Sequence, residues 1–346
     1  MPSLRFVSRA AACTIAACLA LAGCDTRQSG ADAGVVAIPI SVPTPSPGAL
    51  SVLTEPDQGI APVYALLRAA QHSIDLTMYE LADTQAVQVL ETAAARGITA
   101  RVILDINREK AANTPAYEAL KAHGVQVIWA DTRYAATHEK AIVIDRSVAA
   151  VMSLNLTSRY YSDTRDFAVL DRQPSDVAAI EQVFDADFRH ANTPAPTGAD
   201  LVWSPGSEPA LLQIVNRASA SLLLENEEMA LPAVTSALVQ AAHRGVAVTV
   251  VMTRQDDWAK DFDTLVAAHV GVRTYAPTAA LYIHAKAIVA DAGTSHQCAF
   301  IGSENFSAAS LQHNRELGLL TADPGVVTSL ASTIRSDAAG AVPWKH

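Results

Sequence analysis

The sequence predicts an α/β protein built from two tandem α/β/α sandwich domains that are related by a pseudo-twofold axis. Its 346 residues exceed one ordinary domain and fit two of middling size. A group of motifs occurs twice, the second copy 146 positions after the first (284 − 138). Each copy alternates helices with apolar strands, which is typical of a largely buried sheet with helices on its faces.

The first 23 residues are predicted to be an export signal. Arg5 and Arg9 precede an uncharged apolar run at 10–22, which is too short to span a bilayer comfortably. The run ends in the sequence LAGC at 21–24, which resembles the lipobox of bacterial lipoproteins. That resemblance implies cleavage before Cys24 and lipidation of its thiol, whereas an ordinary secretory signal with a chance cysteine is the alternative. We therefore expect an exported, membrane-anchored lipoprotein, facing the periplasm if the source is Gram-negative.

Residues 24–49 are predicted to be a disordered tether between the lipidated cysteine and the folded body, because they are rich in proline and glycine and lack periodicity. No later segment has about 18 consecutive uncharged apolar residues, so the remainder is expected to be soluble. The formal charge is −10, from 25 basic and 35 acidic residues. This balance disfavours a dedicated nucleic-acid binder, although it does not exclude a local basic cleft.

The internal repeat defines the two domains. The segment HEKAIVID at 138–145 recurs as HAKAIVAD at 284–291, and ARGITARVIL at 95–104 parallels HRGVAVTVVM at 243–252. The domains therefore run over 50–193 and 198–346, on either side of a junction rich in proline and alanine. The predicted elements, first half before second, are helices 62–71 and 208–220, strands 73–79 and 221–225, helices 84–96 and 232–244, and strands 99–105 and 247–253.

The repeated segment places a histidine and a lysine two residues apart. On a strand, His138 and Lys140 point to the same face, as do His284 and Lys286. Side chains at that spacing start about 7 Å apart, which lets an imidazole and an ammonium converge on one anion. Imidazole can act as a nucleophile in one protonation state and as an acid in the other, and lysines can screen an anion without a metal.

Matched polar residues follow each copy. Ser153 and Asn155 follow the first, and Ser303 and Asn305 follow the second. Eleven residues after each asparagine comes an acid, Asp166 in the first half and Glu316 in the second. A carboxylate against the far ring nitrogen of a histidine fixes its tautomer. The equal spacing indicates that both halves preserve one site geometry.

This doubled pattern, His-x-Lys-x4-Asp followed by Ser-x-Asn, resembles the phospholipase D superfamily over essentially the whole mature body. The resemblance implies one site at the domain interface, in which one histidine forms a covalent phosphohistidine and the other protonates the leaving alcohol and then activates water. It implies neither metal nor cofactor. The implied roles are catalysis by His138 and His284, phosphate binding by Lys140, Lys286, Asn155 and Asn305, histidine orientation by Asp166 and Glu316, and support by Asp145, Asp291, Ser153 and Ser303.

The first copy departs from the family at two positions. Met152 replaces the glycine before Ser153, and Asp166 replaces the commoner glutamate, so the first half-site is expected to be slightly reshaped. The pairs Tyr79-Glu80 and Glu227-Glu228 end the first strand of each half. They could line the pocket or belong to a solvated rim.

These residues support several functions. The leading hypothesis is an anchored phosphodiesterase of the phospholipase D type, acting on phospholipids or related phosphodiesters. The alternatives are a phosphatidyl transferase of the cardiolipin-synthase type, a periplasmic nuclease, and a non-catalytic phosphate- or lipid-binding lipoprotein. Since both motifs lie in one chain, a monomer is expected. By resemblance to bacterial phospholipases D, His138 is the favoured nucleophile.

Overall fold

The computed structural model describes residues 48–345. The predicted signal peptide at 1–23, the lipidation site Cys24 and nearly all of the tether at 24–49 lie outside the described residues, so these remain predictions. Within the described range, no helix combines the length and apolar character needed to cross a bilayer.

Residues 48–345 form strands and helices that alternate in the same order in both halves. The strands are β1 (Leu50–Glu55), β2 (Ser73–Met78), β3 (Thr99–Leu104), β4 (Gln126–Trp129), β5 (Ala141–Ile144), β6 (Val148–Met152), β7 (Thr164–Asp171), β8 (Leu201–Ser204), β9 (Ser221–Glu225), β10 (Ala247–Thr253), β11 (Gly271–Tyr275), β12 (Tyr282–Ile283), β13 (Ala287–Ala290), β14 (Cys298–Gly302), β15 (Glu316–Thr321) and β16 (Val342–Pro343). The α-helices are α1 (Ala61–Ala69), α2 (Thr84–Ala95), α3 (Lys110–Ala122), α4 (Pro174–Phe188), α5 (Glu208–Arg217), α6 (Pro232–His243), α7 (Ala259–Ala267), α8 (Ala308–Gln312) and α9 (Pro324–Gly340).

Two mixed sheets result, with corresponding strand orders. The first runs β1-β7-β6-β5-β2-β3-β4. Strand β12 from the second half pairs in parallel with the first two residues of β7, Thr164 and Arg165. The second runs β16-β11-β10-β9-β13-β14-β15-β8. In each sheet the three strands joined by helices are parallel and the strands carrying the repeated motif are antiparallel. The predicted tandem α/β fold is confirmed.

Amphipathic helices cover each sheet. Helices α1 to α3 bury residues such as Leu67 and Leu90 against the first sheet, and α5 to α7 do the same on the second. Local signals set the ends of α2, because Asp83 Oδ1 accepts a hydrogen bond from Gln85 N at 2.8 Å and Gly97 has a φ of 84°. The opposite faces carry α4 and α9 and are buried where the two halves meet.

Two local predictions need correction. The helices predicted to reach Gln71 and Ala220 end earlier, because backbone N–H groups beyond α1 and α5 donate to the Asp145 and Asp291 carboxylates instead of continuing the helix. The His-x-Lys segments were expected on strands, but they lie just before β5 and β13. Their backbone groups bond to the opposite half of the molecule.

Candidate active site

The two motif histidines are each held by a carboxylate from the other half. His138 Nδ1 lies 2.7 Å from Glu316 Oε2, and His284 Nδ1 lies 2.8 Å from Asp166 Oδ1. The spacing in the sequence indicated a matched acid in each half, and the structure exchanges these acids between the halves. Neither half therefore supplies the carboxylate that lies against Nδ1 of its own histidine, so this arrangement exists only where the halves meet.

Main-chain hydrogen bonds bring each His-x-Lys segment to that interface. His138 N and Glu139 N both donate to the carbonyl oxygen of Arg315, at 2.9 and 3.0 Å. In the equivalent place, His284 N donates to Arg165 O at 3.2 Å and the following amide donates at 2.8 Å. Each segment is thus fixed to the residue immediately before the acid that holds its histidine.

The side chains of those two arginines form buried ion pairs across the interface. Arg165 Nε and Nη2 donate to the two carboxylate oxygens of Asp337 in α9, at 2.6 and 2.9 Å. Arg315 Nη2 donates to Asp187 in α4 at 2.9 Å, and its Nε lies 2.8 Å from the second oxygen. Because paired, bidentate geometry is specific, these two clamps fix the strands that carry the acids.

The acids are themselves oriented by hydroxyl and amide groups. Glu316 Oε1 accepts from Ser310 Oγ at 2.7 Å and from Asn314 Nδ2 at 2.9 Å. Burial alone would raise the pKa of Glu316, but the nearby charges of His138 and Lys140 lower it below its usual value. A carboxylate that stays ionised can hold the Nδ1 proton of its histidine.

The two predicted support serines lie against these acids. Ser153 Oγ donates to Asp166 Oδ1 at 2.6 Å and accepts from Phe167 N at 3.0 Å. Ser303 Oγ accepts from Leu317 N at 3.2 Å. Each serine therefore joins its loop to the strand that carries the acid of the same half.

Both motif lysines are almost fully buried. Lys140 is 1% exposed and Lys286 is 0% exposed. Each ammonium donates to the carbonyl oxygen of the histidine two residues earlier. Burial lowers the pKa of Lys140 to about 7, although Glu316 opposes the shift. A buried ammonium without a full set of partners is costly, so an anionic ligand would be strongly favoured beside these groups.

The asparagines contribute further unsatisfied polar groups. Asn155 Oδ1 and Asn305 Oδ1 are buried and have no hydrogen-bond partner among the described residues. Asn305 is placed by its backbone N–H, which donates to Ser310 Oγ at 2.8 Å. These oxygens are hydrogen-bond acceptors, so the amide Nδ2 groups are the atoms that could donate to a phosphate oxygen.

The motif aspartates have a structural place. Asp145 accepts hydrogen bonds from three successive backbone N–H groups at 71–73, and Asp291 does the same at 219–221. These amides lower the pKa of both carboxyls despite partial burial. The two aspartates therefore fix the helix–strand junctions behind the site and do not contact the histidines.

The structure brings both histidines, both lysines, Asn305 and the two orienting acids together and sets the two motif aspartates apart. Asn155 lies two residues after Ser153 on the same loop. Its described residues contain no group of three or more His, Cys, Asp or Glu side chains suited to holding a metal ion.

The family follows from a comparison of the sequence with family models. A model described as "Cardiolipin synthase, PLD-like domain" matches residues 63–188 and 211–338, which together cover most of the chain and lie one in each half. The chain belongs to the phospholipase D superfamily.

Solved structures of this fold include two of similar overall architecture. Phosphatidylserine synthase from Haemophilus influenzae Rd KW20 is 11% identical, with a TM-score of 0.69 over 88% of this chain and 89% of that chain. Polyphosphate kinase from Porphyromonas gingivalis is 15% identical, with a TM-score of 0.65 over 83% of this chain, which spans half of the kinase. At these identities the likeness shows the fold alone. A comparison with curated proteins found no match.

Several residues of this phospholipase D-like site were missed by the sequence reasoning. Arg165 and Arg315 each precede an orienting acid, and their partners Asp187 and Asp337 are separated by the same 150 positions (315 − 165 and 337 − 187). That constant offset is a signal that the sequence contained. The roles of Tyr79 and Glu227 were left open, and the structure places both against the motif residues.

Proposed function

We propose that the chain is a metal-independent phosphodiesterase of the phospholipase D type, which hydrolyses phospholipids or related phosphodiesters through a covalent phosphohistidine. The observation that carries the proposal is the crossed pairing of His138 with Glu316 and of His284 with Asp166, beside two buried lysines. The pairing makes two oriented imidazoles, and the lysines supply the positive charge that an anionic diester requires. Both half-sites lie in one chain, so a monomer suffices.

In the first step, the neutral Nε2 of His138 attacks phosphorus. A P–N bond forms, the bond between phosphorus and the leaving oxygen breaks, and protonated His284 gives its Nε2 proton to that oxygen. Burial lowers the pKa of His138, although Glu316 opposes the shift, and this favours the neutral nucleophile. Glu316 stabilises the ring by accepting a hydrogen bond from its Nδ1–H.

In the second step, water replaces the alcohol. His284, now neutral, takes a proton from water as the new P–O bond forms, and the P–N bond to His138 breaks. The proton returns His284 to its acid form and the site to its starting state. Lys140, Lys286 and the two asparagine amides would bind the non-bridging oxygens throughout.

A second candidate uses the same intermediate with another acceptor. The matching family model carries the cardiolipin-synthase description, which favours a phosphatidyl transferase in which an alcohol attacks the phosphohistidine. Product analysis with and without glycerol or phosphatidylglycerol separates the two. Phosphatidic acid as the main product in both conditions supports the hydrolase, whereas its replacement by a new diester supports the transferase.

The test of the proposed activity is a substrate panel. The purified full chain is incubated with phospholipid vesicles, bis-nitrophenyl phosphate and DNA, each with and without excess EDTA. We expect cleavage of phospholipid and bis-nitrophenyl phosphate that survives EDTA. Loss on chelation with recovery on adding a divalent ion would contradict the mechanism. Preferential cleavage of DNA would favour a nuclease, and binding without cleavage would favour a non-catalytic lipoprotein.

We also propose that Cys24 carries a lipid that anchors the chain to a membrane. The support is the LAGC sequence at 21–24 after a charged and then apolar segment. Cys24→Ser should abolish acyl labelling and release the protein from the membrane fraction, whereas Cys18→Ser in the same segment should do neither. Continued sedimentation of Cys24→Ser with membranes would mean that another feature holds the protein there.

A further inference from the structure

The two half-sites differ at one position beside the motif. Tyr79 and Glu227 each lie six residues after a serine, Ser73 or Ser221, whose backbone N–H donates to a motif aspartate. They are therefore equivalent positions of the repeat. The Tyr79 ring makes an edge contact with the His138 ring at a centroid distance of 4.6 Å. The second half has a carboxylate in that place.

Glu227 reaches the groups that the proposed mechanism assigns to the substrate. Its Oε2 lies 3.1 Å from Lys286 Nζ, which donates to it, and 3.5 Å from His284 Nε2. Its Oε1 accepts from Tyr282 Oη at 3.0 Å, and Gln255 Nε2 donates to that same hydroxyl at 3.2 Å. The carboxylate is thus held in place, with 25% of its side chain exposed.

We propose that Glu227 is a catalytic residue of the second half-site. Its carboxylate retains the proton on His284 Nε2, and this makes His284 the acid of the proposed mechanism. The inference rests on the proposed function and deepens it. Both ring nitrogens of His284 face a carboxylate oxygen, Asp166 at Nδ1 and Glu227 at Nε2. A doubly protonated imidazole donates from both nitrogens, so this surrounding stabilises the imidazolium.

Three carboxylates face His284 from three elements: Asp166 from β7, Glu227 from the loop after β9 and Glu80 from the loop after β2. Glu80 is paired with Arg159 at 2.7 Å, and the ammonium groups of Lys286 and Lys140 lie among the same acids. Burial would raise the pKa of Glu227, but the charges of Lys286 and His284 hold it far below its usual range. Glu227 therefore stays ionised, and its Oε2 lies 3.5 Å from the Nε2 that would carry the proton.

The first half-site lacks this arrangement. His138 has one carboxylate contact, at Nδ1, and the edge of the Tyr79 ring beside it. Lys140 Nζ lies 4.8 Å from the centroid of the same ring. Lys140 therefore faces an aromatic ring, whereas Lys286 in the second half faces the Glu227 carboxylate. In the proposed step, the substrate phosphate contacts Lys286 and displaces the Glu227 carboxylate. The leaving oxygen then becomes the acceptor of the His284 proton.

The test compares leaving groups in Glu227→Gln. Bis-nitrophenyl phosphate needs little protonation of its leaving group, whereas dihexanoyl phosphatidylcholine releases an alkoxide that needs it. The ratio of kcat/KM for phosphatidylcholine to that for bis-nitrophenyl phosphate should fall about tenfold, because general acid catalysis contributes about 10²- to 10⁴-fold and would be partly lost. Both substrates need Lys140, so any titration of its ammonium changes both kcat/KM values equally and leaves their ratio unchanged.

The control is Glu228→Gln, a loss of the same charge at the next residue, whose side chain bonds to Ser307. Its ratio should equal that of the unmodified chain. Equal losses on both substrates in Glu227→Gln would show that Glu227 only holds Lys286 in place, and gains on both would show that it only repels phosphate. Either result overturns the proposal while leaving the phosphodiesterase function intact.

A second measurement does not depend on activity. In the full chain with 15N-labelled histidine, NMR reports which ring nitrogens of His284 carry protons. At one fixed pH, we expect a larger fraction of His284 rings to carry protons on both nitrogens in the unmodified chain than in Glu227→Gln. Identical fractions would overturn the role of Glu227, even if the chain cleaved neither substrate and the proposed function had failed.

Discussion

The two half-sites of this protein are alike in the groups that would hold a phosphate and different in the groups that would handle a proton. Each half supplies a histidine, a buried lysine, an asparagine and an acid, and each acid crosses to the other half. Beside the histidine, however, the first half has the Tyr79 ring and the second has the Glu227 carboxylate. A repeat can therefore preserve phosphate binding on both sides while making one histidine the nucleophile and the other the acid.

The packing beneath the motifs differs in the same way. In the second half, a Cβ on Gly302 would lie 2.4 Å from both Glu304 Oε2 and Gly318 Cα, so glycine is required there by close approach. In the first half, Met152 is fully buried and pairs with Ala168 on β7. Leu154 stands where the second half has the buried Glu304. Apolar packing thus replaces a glycine–carboxylate arrangement in the half predicted to be reshaped.

The largest effect is expected from breaking the crossed pairs. Glu316→Gln and Asp166→Asn should each lower kcat by about 10²- to 10⁴-fold, because the histidine loses the partner that fixes its tautomer. Glu316→Gln should prevent phosphoryl-enzyme formation on bis-nitrophenyl phosphate, since it removes the partner of the nucleophile. Asp166→Asn should still allow it. If each acid instead served the histidine of its own half, these two outcomes would be exchanged.

A smaller effect is expected from the arginine clamps. Arg315→Lys keeps the charge but loses the paired geometry with Asp187, so kcat should fall about tenfold while the affinity for sulfate is kept. Asp187→Asn should lower the free energy of unfolding by about 3 kcal/mol, since it leaves a buried arginine without its partner.

The double variant that combines Arg315→Lys with Asp187→Asn tests whether the two residues act together. If each single variant lowers kcat, the loss in the double variant should be smaller than the product of the two single losses, because both substitutions break the same contact. Fully multiplicative losses would show that the arginine acts on His138 without the clamp. Arg165→Lys tests the equivalent position in the other half.

The smallest effect concerns pH. The ammonium form of Lys140 is present below about pH 7 and is lost as the pH rises through that value, because burial lowers its pKa to about 7. Sulfate affinity should therefore fall by less than about tenfold between pH 7 and pH 9, because one of several phosphate-binding groups loses its charge. Lys140→Arg, which does not titrate in this range, should remove that dependence. A sulfate affinity in the unmodified chain that is flat from pH 7 to 9 would contradict this prediction.

Much of the architecture could be predicted because it depends on local patterns. Helix α2 has an aspartate cap and a terminal glycine, and strands β9 and β10 were predicted at their observed bounds. The helix ends before Ser73 and Ser221 were missed, because they depend on Asp145 and Asp291, which lie 72 and 70 positions away from these serines.

The candidate site residues could be identified from the doubled motif, but the pairing of each acid with a histidine could not. The distance along the chain from Asn155 to Asp166 equals that from Asn305 to Glu316, and this says nothing about which histidine each acid contacts. Only the packing of one half against the other determines that exchange. The asymmetry of Tyr79 and Glu227 was visible as a difference in residue type, but its meaning depends on the 3.5 Å contact with His284.

The central claim is that the halves form one site in which His138 attacks phosphorus and His284 acts as the acid. It is tested most directly by trapping the acid-labile phosphoryl-enzyme from bis-nitrophenyl phosphate in His138→Ala and in His284→Ala, followed by peptide mapping of the adduct. The account predicts an adduct on His138 in His284→Ala and none in His138→Ala, with turnover of phospholipid reduced by orders of magnitude in both. An adduct on His284 would exchange the two roles, and half-activity in each variant would mean two independent sites.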